Sequence, residues 1–362
     1  MSLPIRDELR GLKPYGAPQL DVPIKLNTNE NPFSPPAELI AEIAREVAAI
    51  SSSLNRYPDR DAVELRQALC DYVCTESGGT VKPSQVWAAN GSNEVMIQIL
   101  QAFGGPGRTA LTFAPTYSMY EEYARDTNTG FVTVNRAEDF SLSADSIRTA
   151  VAQHKPSVVF ITNPNNPTGT MLDIDAVAPV FAEFPDTLFV LDEAYAEFRR
   201  AHVKSAVQFL ALHPNLIVTR TMSKAFAFAG VRLGYLVASK EIIEALMLVR
   251  LPYHLSTVTQ TVAACALRHA AALQKDLDVL RVERDHLVDW LRSNGFTAAD
   301  SDANFVLFGQ FPDRHAVWQA LVDRGVLIRE VGPDGWLRVT VGTPSEMNAF
   351  KQALLESTGK AN

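Results

Sequence analysis

Short runs that are apolar at every position alternate along this chain with segments whose apolar residues recur at helical spacing. The runs fall at 86–89, 109–113, 131–134, 158–162, 188–191, 216–219 and 234–238. Strands buried on both faces have this character, because helices cover a largely parallel sheet above and below. The intervening segments supply such helices: 94–103 is one, and 61–73 is another, with Ala62, Leu65, Leu69, Tyr72 and Val73 spaced along one face. The expected fold class is therefore α/β, a mostly parallel seven-stranded sheet sandwiched by helices.

Further along, the pattern changes. A helical stretch from about 257 to 292 leads into strands at 304–308, 326–329 and 336–341 and helices near 315–323 and 344–356, which make a smaller α+β domain. Residues 1–30 are rich in proline and polar residues and read as an N-terminal arm packed on another part of the molecule. Pro35 and Pro36 then open a helix, since proline is tolerated in a first turn. The expected division is an arm at 1–30, a large domain at 31–256 and a small C-terminal domain at 257–362, entered through a long linking helix.

Composition narrows the function classes. A chain of 362 residues with 47% hydrophobic and 20% charged residues has the make-up of an ordinary soluble protein and can bury a sizeable core. The net charge of -8, with no block of like charge, argues against a nucleic-acid surface. No run approaches transmembrane length and the first residues lack the pattern of a signal peptide, so no membrane partner and a cytoplasmic location are expected. Cys70, Cys74 and Cys265 are too few and too scattered for a disulfide framework or a zinc site. No two of the seven histidines pair on one helix face as metal ligands, so no metal is expected. Gly104-Gly105-Pro106-Gly107 lacks dinucleotide spacing, and no nucleophile elbow is present.

In open α/β sheets, ligands bind beyond the carboxyl ends of the strands, so the residues just past each apolar run are informative. After 216–219 comes Thr221-Met222-Ser223-Lys224, with Arg232 eight residues beyond the lysine. A low-dielectric setting beside another cation favours a neutral amine able to form a Schiff base with an aldehyde. Thr221, Ser223 and Arg232 suit a phosphate monoester. An aldehyde and a phosphate on one small molecule point to pyridoxal 5'-phosphate. The other run ends supply matching parts. Asn90-Gly91-Ser92-Asn93 opens a helix whose free amides suit a phosphate. Tyr117 can stack on a planar ring, and Asn166 can donate to a ring oxygen. Asp192 would be a costly buried carboxylate unless it had a cationic or protonated partner, and a pyridinium N–H would be one. Each motif also has a plain reading as a turn or a helix cap. It is their occurrence together at five strand ends that carries the chemistry.

Asn166-Pro167-Thr168-Gly169, Asp192-Glu193-Ala194-Tyr195 and Ser223-Lys224 followed by Arg232 resemble the fold-type I pyridoxal-phosphate aminotransferases, and nearly the whole chain resembles the histidinol-phosphate aminotransferase family among them. The segments 26–32, 55–59 and 338–342 are in the same style. The resemblance implies that 31–256 is the cofactor-binding domain and that Lys224 forms the Schiff base and moves the substrate Cα proton. It implies that Asp192 keeps the ring nitrogen protonated, and that Asn166 and Tyr195 bond the ring oxygen. Tyr117 would stack on the ring. Ser92, Asn93, Thr221, Ser223 and Arg232 would hold the phosphate, with Tyr57 reaching it from a neighbouring subunit of a homodimer. Arg338, Arg329, Tyr15 and Asn29 would receive the substrates, histidinol phosphate and then the glutamate/2-oxoglutarate pair. Tyr253 and His254 would approach the substrate ring from the partner subunit. Alternatives stand beside this. Arg329 can instead pair with Glu330 or Asp334 on the surface. An aromatic or broad-range aminotransferase, a phospho-amino-acid decarboxylase, or a non-catalytic cofactor-binding module would share much of the pattern.

Overall fold

The computed structural model describes residues 3–360. In chain order its elements are β1 (Ile24–Lys25), α1 (Ala37–Ile50), α2 (Val63–Ser77), β2 (Val86–Ala89), α3 (Ser92–Phe103), β3 (Thr109–Ala114), α4 (Met119–Asp126), β4 (Gly130–Asn135), α5 (Ala144–His154), β5 (Val158–Thr162), α6 (Ile174–Glu183), β6 (Leu188–Asp192), β7 (Leu216–Thr221) and β8 (Gly234–Ala238). There follow α7 (Lys240–Val249), α8 (Thr257–Arg268), α9 (Ala270–Ser293), β9 (Thr297–Ala298), β10 (Phe305–Gly309), α10 (Arg314–Asp323), β11 (Val326–Leu327), β12 (Trp336–Thr340) and α11 (Pro344–Ser357).

Among the described residues the seven expected runs form one sheet in the order β2-β8-β7-β6-β5-β3-β4. All its pairings are parallel except those of β8, which runs antiparallel to β7 and β2. The connection before β8 explains the exception. Residues 222–233 make an irregular loop closed by Met222 N–H to Leu233 O at 3.0 Å, so the chain turns straight back instead of crossing over. One apolar layer packs α1, α2, α5, α6 and α8 on one face of the sheet; a second packs α3, α4 and α7 on the other. Helix starts are fixed by side-chain caps. Ser143, Asp173, Ser256, Asp313 and Thr343 each accept a first-turn N–H, and Thr343 with Glu346 forms a reciprocal capping box.

A separate core of α9, α11 and the three-stranded sheet β12-β10-β9 gathers the C-terminal part. The long helix expected over 257–292 is instead two helices broken at His269. Glu42 of α1 accepts from the His269 ring at 2.6 Å and from Arg268 at 2.6 Å, which clamps α8 to the first layer while α9 leaves for the second core. The strand expected at 326–329 is also shorter. Its ladder covers Val326–Leu327, which pairs in parallel with Ile24–Lys25, and Arg329 then bridges to Arg338. The end of the N-terminal arm is thus a strand against the C-terminal part, and this brings Asn27, Thr28 and Asn29 to the sheet's carboxyl edge.

Candidate active site

The parallel strands end on one rim, and the residues just beyond them meet in one cavity. It is lined by Tyr15, Asn29, Ser92, Asn93, Tyr117, Asn166, Asp192, Tyr195, Thr221, Ser223, Lys224, Arg232, Arg329 and Arg338, among others. Three residues expected to act across a subunit boundary, Tyr57, Tyr253 and His254, do not line it. Tyr57 is 80% exposed and stacks on Tyr253, with ring centroids 4.5 Å apart. His254 is tied down within its own chain, its Nε2 2.9 Å from Ala88 O and its ring stacked on Trp87.

At the end of β7, Lys224 Nζ donates to Thr28 O at 2.8 Å. Burial, helped by the charges of Arg338 and Arg232, pulls this amine down to about 8. A neutral amine is therefore accessible near neutral pH, as nucleophilic attack requires.

Asp192, at the end of β6, is buried, and burial holds its carboxyl above the usual carboxylate range. Its oxygens accept from Tyr120 Oη at 2.8 Å and from Thr219 Oγ1 at 3.1 Å. Among the described residues no cation pairs with it, so the anion would gain from an N–H cation placed in the cavity.

The phosphate end is built by close backbone approach. Gly234, opening β8, lies so near α3 that a Cβ there would sit 2.1 Å from Ser92 N. Gly91 has φ +81°, and its own Cβ would lie 2.7 Å from Arg232 Nη2. Helix α3 therefore starts with no side-chain cap on its first amides and with Arg232 across from them. Arg232 itself is held at φ 60°, an uncommon conformation for a non-glycine residue, and its Nη1 reaches Ser223 Oγ at 3.3 Å. This N-terminus with an arginine facing it suits a dianionic phosphate.

On the opposite wall, Tyr195 Oη accepts from Asn29 Nδ2 at 3.0 Å and from Asn166 Nδ2 at 3.5 Å. Asn29, at φ 56°, is pinned by two bonds to Thr340 Oγ1, each 3.0 Å long. Arg338 donates to Asn166 Oδ1 at 2.6 Å and to Asn27 O at 2.9 Å, and its buried Nε has no partner. Burial pulls its guanidinium down to about 10, which leaves it charged near neutral pH but poorly compensated, so a carboxylate brought to it would offset the cost of that buried charge. Arg329 makes no ion pair with Glu330 or Asp334. Those acids pair with Arg314, and Arg329 reaches Gly16 O at 3.5 Å. Tyr15 accepts from Ser118 Oγ at 3.2 Å beside it.

This donor set fits pyridoxal phosphate. It offers an amine of lowered proton affinity, a buried carboxylate without a cation, an uncapped helix start faced by arginine and an aromatic wall at Tyr117. Several residues that line the cavity or support its lining were not legible in advance. Tyr120, Thr219, Thr28 and Asn27 act through hydrogen bonds between distant segments; the signal that exists is spacing, Tyr120 in the first turn of α4 three residues after Tyr117, and Thr219 two before Thr221 on one strand face.

Comparison with known proteins agrees with this arrangement. Residues 21–354 match the family model described as aminotransferase class I and II. The chain is 61% identical over 359 residues to histidinol-phosphate aminotransferase of Thermobifida fusca, covering 99% of this chain and 96% of that one. It is 54% identical to histidinol-phosphate aminotransferase 3 of Burkholderia lata, covering 98% of this chain and 95% of that one. The fold matches the crystal structure of the Sinorhizobium meliloti histidinol-phosphate aminotransferase in complex with pyridoxal-5'-phosphate, with a TM-score of 0.83 at 24% identity over 93% of this chain and 91% of that one. Full-length identity of this order, on a cavity with an amine and a carboxylate so placed, makes the chain a member of the histidinol-phosphate aminotransferase family of the class I and II, pyridoxal-phosphate-dependent aminotransferases.

Proposed function

We propose that this enzyme moves an amino group between L-histidinol phosphate and 2-oxoglutarate, giving imidazole-acetol phosphate and L-glutamate. The observation that carries the reading is the pair Arg338 and Arg329, which lines the same cavity as Lys224 and answers the two anionic ends that one site must accept in turn.

When bound, pyridoxal phosphate supplies an aldehyde and a protonated ring that withdraws electrons from substrate Cα. Asp192 would hold the ring nitrogen's proton by its charge. Asn166 and Tyr195 would donate to the ring oxygen, and Tyr117 would pack on the ring. Ser92, Asn93, Thr221, Ser223 and Arg232 would hold the phosphate. Lys224 Nζ would take and hold the proton lost from substrate Cα, a general-base role that its lowered proton affinity allows. Arg338 fixes the substrate's distal acid, while Arg329, Tyr15 and Asn29 complete the pocket for the histidinol phosphate.

The working unit in this reading is a homodimer, in which Tyr57 reaches the neighbouring cavity. An exposed apolar patch supports it: Tyr57, Leu248, Leu251 and Tyr253 are 80%, 86%, 73% and 42% exposed. An arm at 1–30, a cofactor domain at 31–256 and a small domain at 257–362 go with this reading, as does a cytoplasmic location. Among the described residues no helix is long and apolar enough to cross a membrane.

The deciding experiment follows the bound cofactor's visible absorbance as histidinol phosphate, phenylalanine and threonine phosphate are added singly. Histidinol phosphate is expected to convert it fastest. Faster conversion by phenylalanine would select an aromatic aminotransferase, and carbon dioxide release from threonine phosphate a decarboxylase.

A further inference from the structure

Strand alternation turns Arg220 away from Thr219 and Thr221, to the face of the sheet opposite the catalytic cavity. There, a cleft of about 420 Å³ opens between α2, the segment 196–201 and the first turns of α9. It shares no lining residue with the catalytic cavity.

Most of the charge around this cleft is already satisfied. Glu76 accepts from Arg199 at 2.5 Å and from Arg220 at 3.0 Å, and Oε1 of Glu197 accepts from Tyr72 at 3.1 Å and Arg220 at 3.3 Å. Two lining groups are not fully satisfied. Oε2 of Glu197, on a residue 3% exposed, and Nε of Arg281 are both buried without a hydrogen-bond partner. Arg281 is nonetheless fixed in place, since its Nη2 donates to the backbone oxygen of Glu197 and its Nη1 pairs with Asp278, which leaves Nε as its unpaired N–H. A buried polar atom left unpaired is costly, so both atoms are set to receive something.

The carboxylate oxygen needs a donor, best a cation, and the guanidinium N–H needs an acceptor, best an anion. A molecule meeting both carries an ammonium and a carboxylate on a small frame. The helix α9 side of the cleft presents Ala270 and Ala271, which leave room for a side chain, and the amide of Gln274. We propose that this cleft binds a free α-amino acid, its ammonium on Glu197 and its carboxylate on Arg281. The ligand would bridge the segment after β6 to α9, the helix that runs between the two cores.

The test is calorimetric titration of the cofactor-loaded enzyme with the neutral amino acids, and with propionate and ethylamine as the two half-ligands. At least one amino acid is expected to bind, and each half-ligand to bind at least about tenfold more weakly, since one ion contact is lost. Ala271→Trp fills the cleft without touching the ion network or the catalytic cavity, and Arg281→Gln removes the unpaired N–H. Each should weaken amino-acid binding by about tenfold or more, while Ala271→Trp keeps turnover of histidinol phosphate within about twofold. Three results would overturn the site: no heat from any amino acid, unchanged affinity in both variants, or propionate binding as tightly as alanine. Heat that persists in Ala271→Trp belongs to the catalytic cavity, so the site is read only from the binding that this variant removes.

Discussion

The phenol of Tyr120 donates to Oδ2 of Asp192 at 2.8 Å, in a position where both side chains are buried. Tyr120 is also stacked on Phe160, with centroids 4.7 Å apart, packed edge-on against Tyr117 at 5.6 Å, and 2.7 Å from Thr162 Oγ1. It therefore positions both the expected ring stacker and the expected nitrogen partner. Tyr120→Phe keeps the packing and removes one donor to a carboxylate, an interaction of about 1.5–3 kcal/mol. Cofactor affinity and kcat/KM should each fall roughly 10- to 100-fold, measured by equilibrium dialysis and steady-state kinetics. If dialysis shows native affinity, Thr219 and the surrounding backbone hold Asp192 unaided.

Lys224 gives a pH signature of its own. Its amine sits near 8 in the folded chain, whereas in an unfolded chain it titrates at the ordinary lysine value. Between those values the unfolded state binds more protons, so stability of the cofactor-free protein rises with pH across that window. The penalty from the charged amine is fully present below about 8 and fades as pH approaches the unfolded value. Lys224→Met should thus be more stable than the parent at pH 7, with the gap closing toward pH 10, as read by urea unfolding at several pH values. The same substitution should cost at least about a thousandfold in transamination, because base and nucleophile are lost together. A gap that does not change with pH would mean that the amine's proton affinity is not lowered by its surroundings.

The chemistry of this site was legible in the sequence because a parallel sheet delivers its strand ends to one rim. Lys224, Asp192, Asn166, Tyr117 and Ser92 each come just after an apolar run, and the structure brings all five into one cavity. What the sequence did not disclose depends on partners far along the chain. Arg220 reads as an ordinary charge between two threonines, yet it is fully buried against acids 27 and 144 residues away. The break at His269 depends on Glu42, 227 residues distant. The two-residue strand β1 is too short to show any period, although it sets where the arm meets the cavity.

The two substrate arginines should separate by substrate. Arg338→Lys loses the forked contact to a distal acid, and kcat/KM should fall for glutamate and histidinol phosphate alike, by about 30- to 150-fold for 2–3 kcal/mol. Arg329→Gln should penalise histidinol phosphate more than glutamate, about tenfold or more in relative kcat/KM, because Arg329 adds charge where the larger anion ends. Equal losses for both substrates would remove the assignment of Arg329 to the phosphate.

Beneath the catalytic rim, one guanidinium serves three carboxylates. Arg220 lies 2.7 Å from Glu193, 3.0 Å from Glu76 and 3.3 Å from Glu197, and it is itself fully buried. Burial works to raise Glu76, but Arg220 and Arg199 outweigh it and hold Glu76 below its ordinary range; burial leaves Glu197 above its own. Arg220→Met would leave the acids facing one another with Arg199 as the remaining cation on Glu76. Breaking a buried pair by removing one partner costs about 3–5 kcal/mol, so chemical unfolding should show a loss of that order at pH 8. The carboxylates would then have raised proton affinity in the folded state, and a folded state that binds more protons gains stability as pH falls. The deficit should therefore shrink between pH 8 and pH 5, and a second change, Glu193→Gln, should recover part of it at pH 8. Because Arg220 alternates with Thr219 and Thr221 on β7, cofactor affinity should drop in the single variant as well. A deficit that is the same at both pH values would mean the guanidinium acts by its volume, and the acids would then not be charged against it.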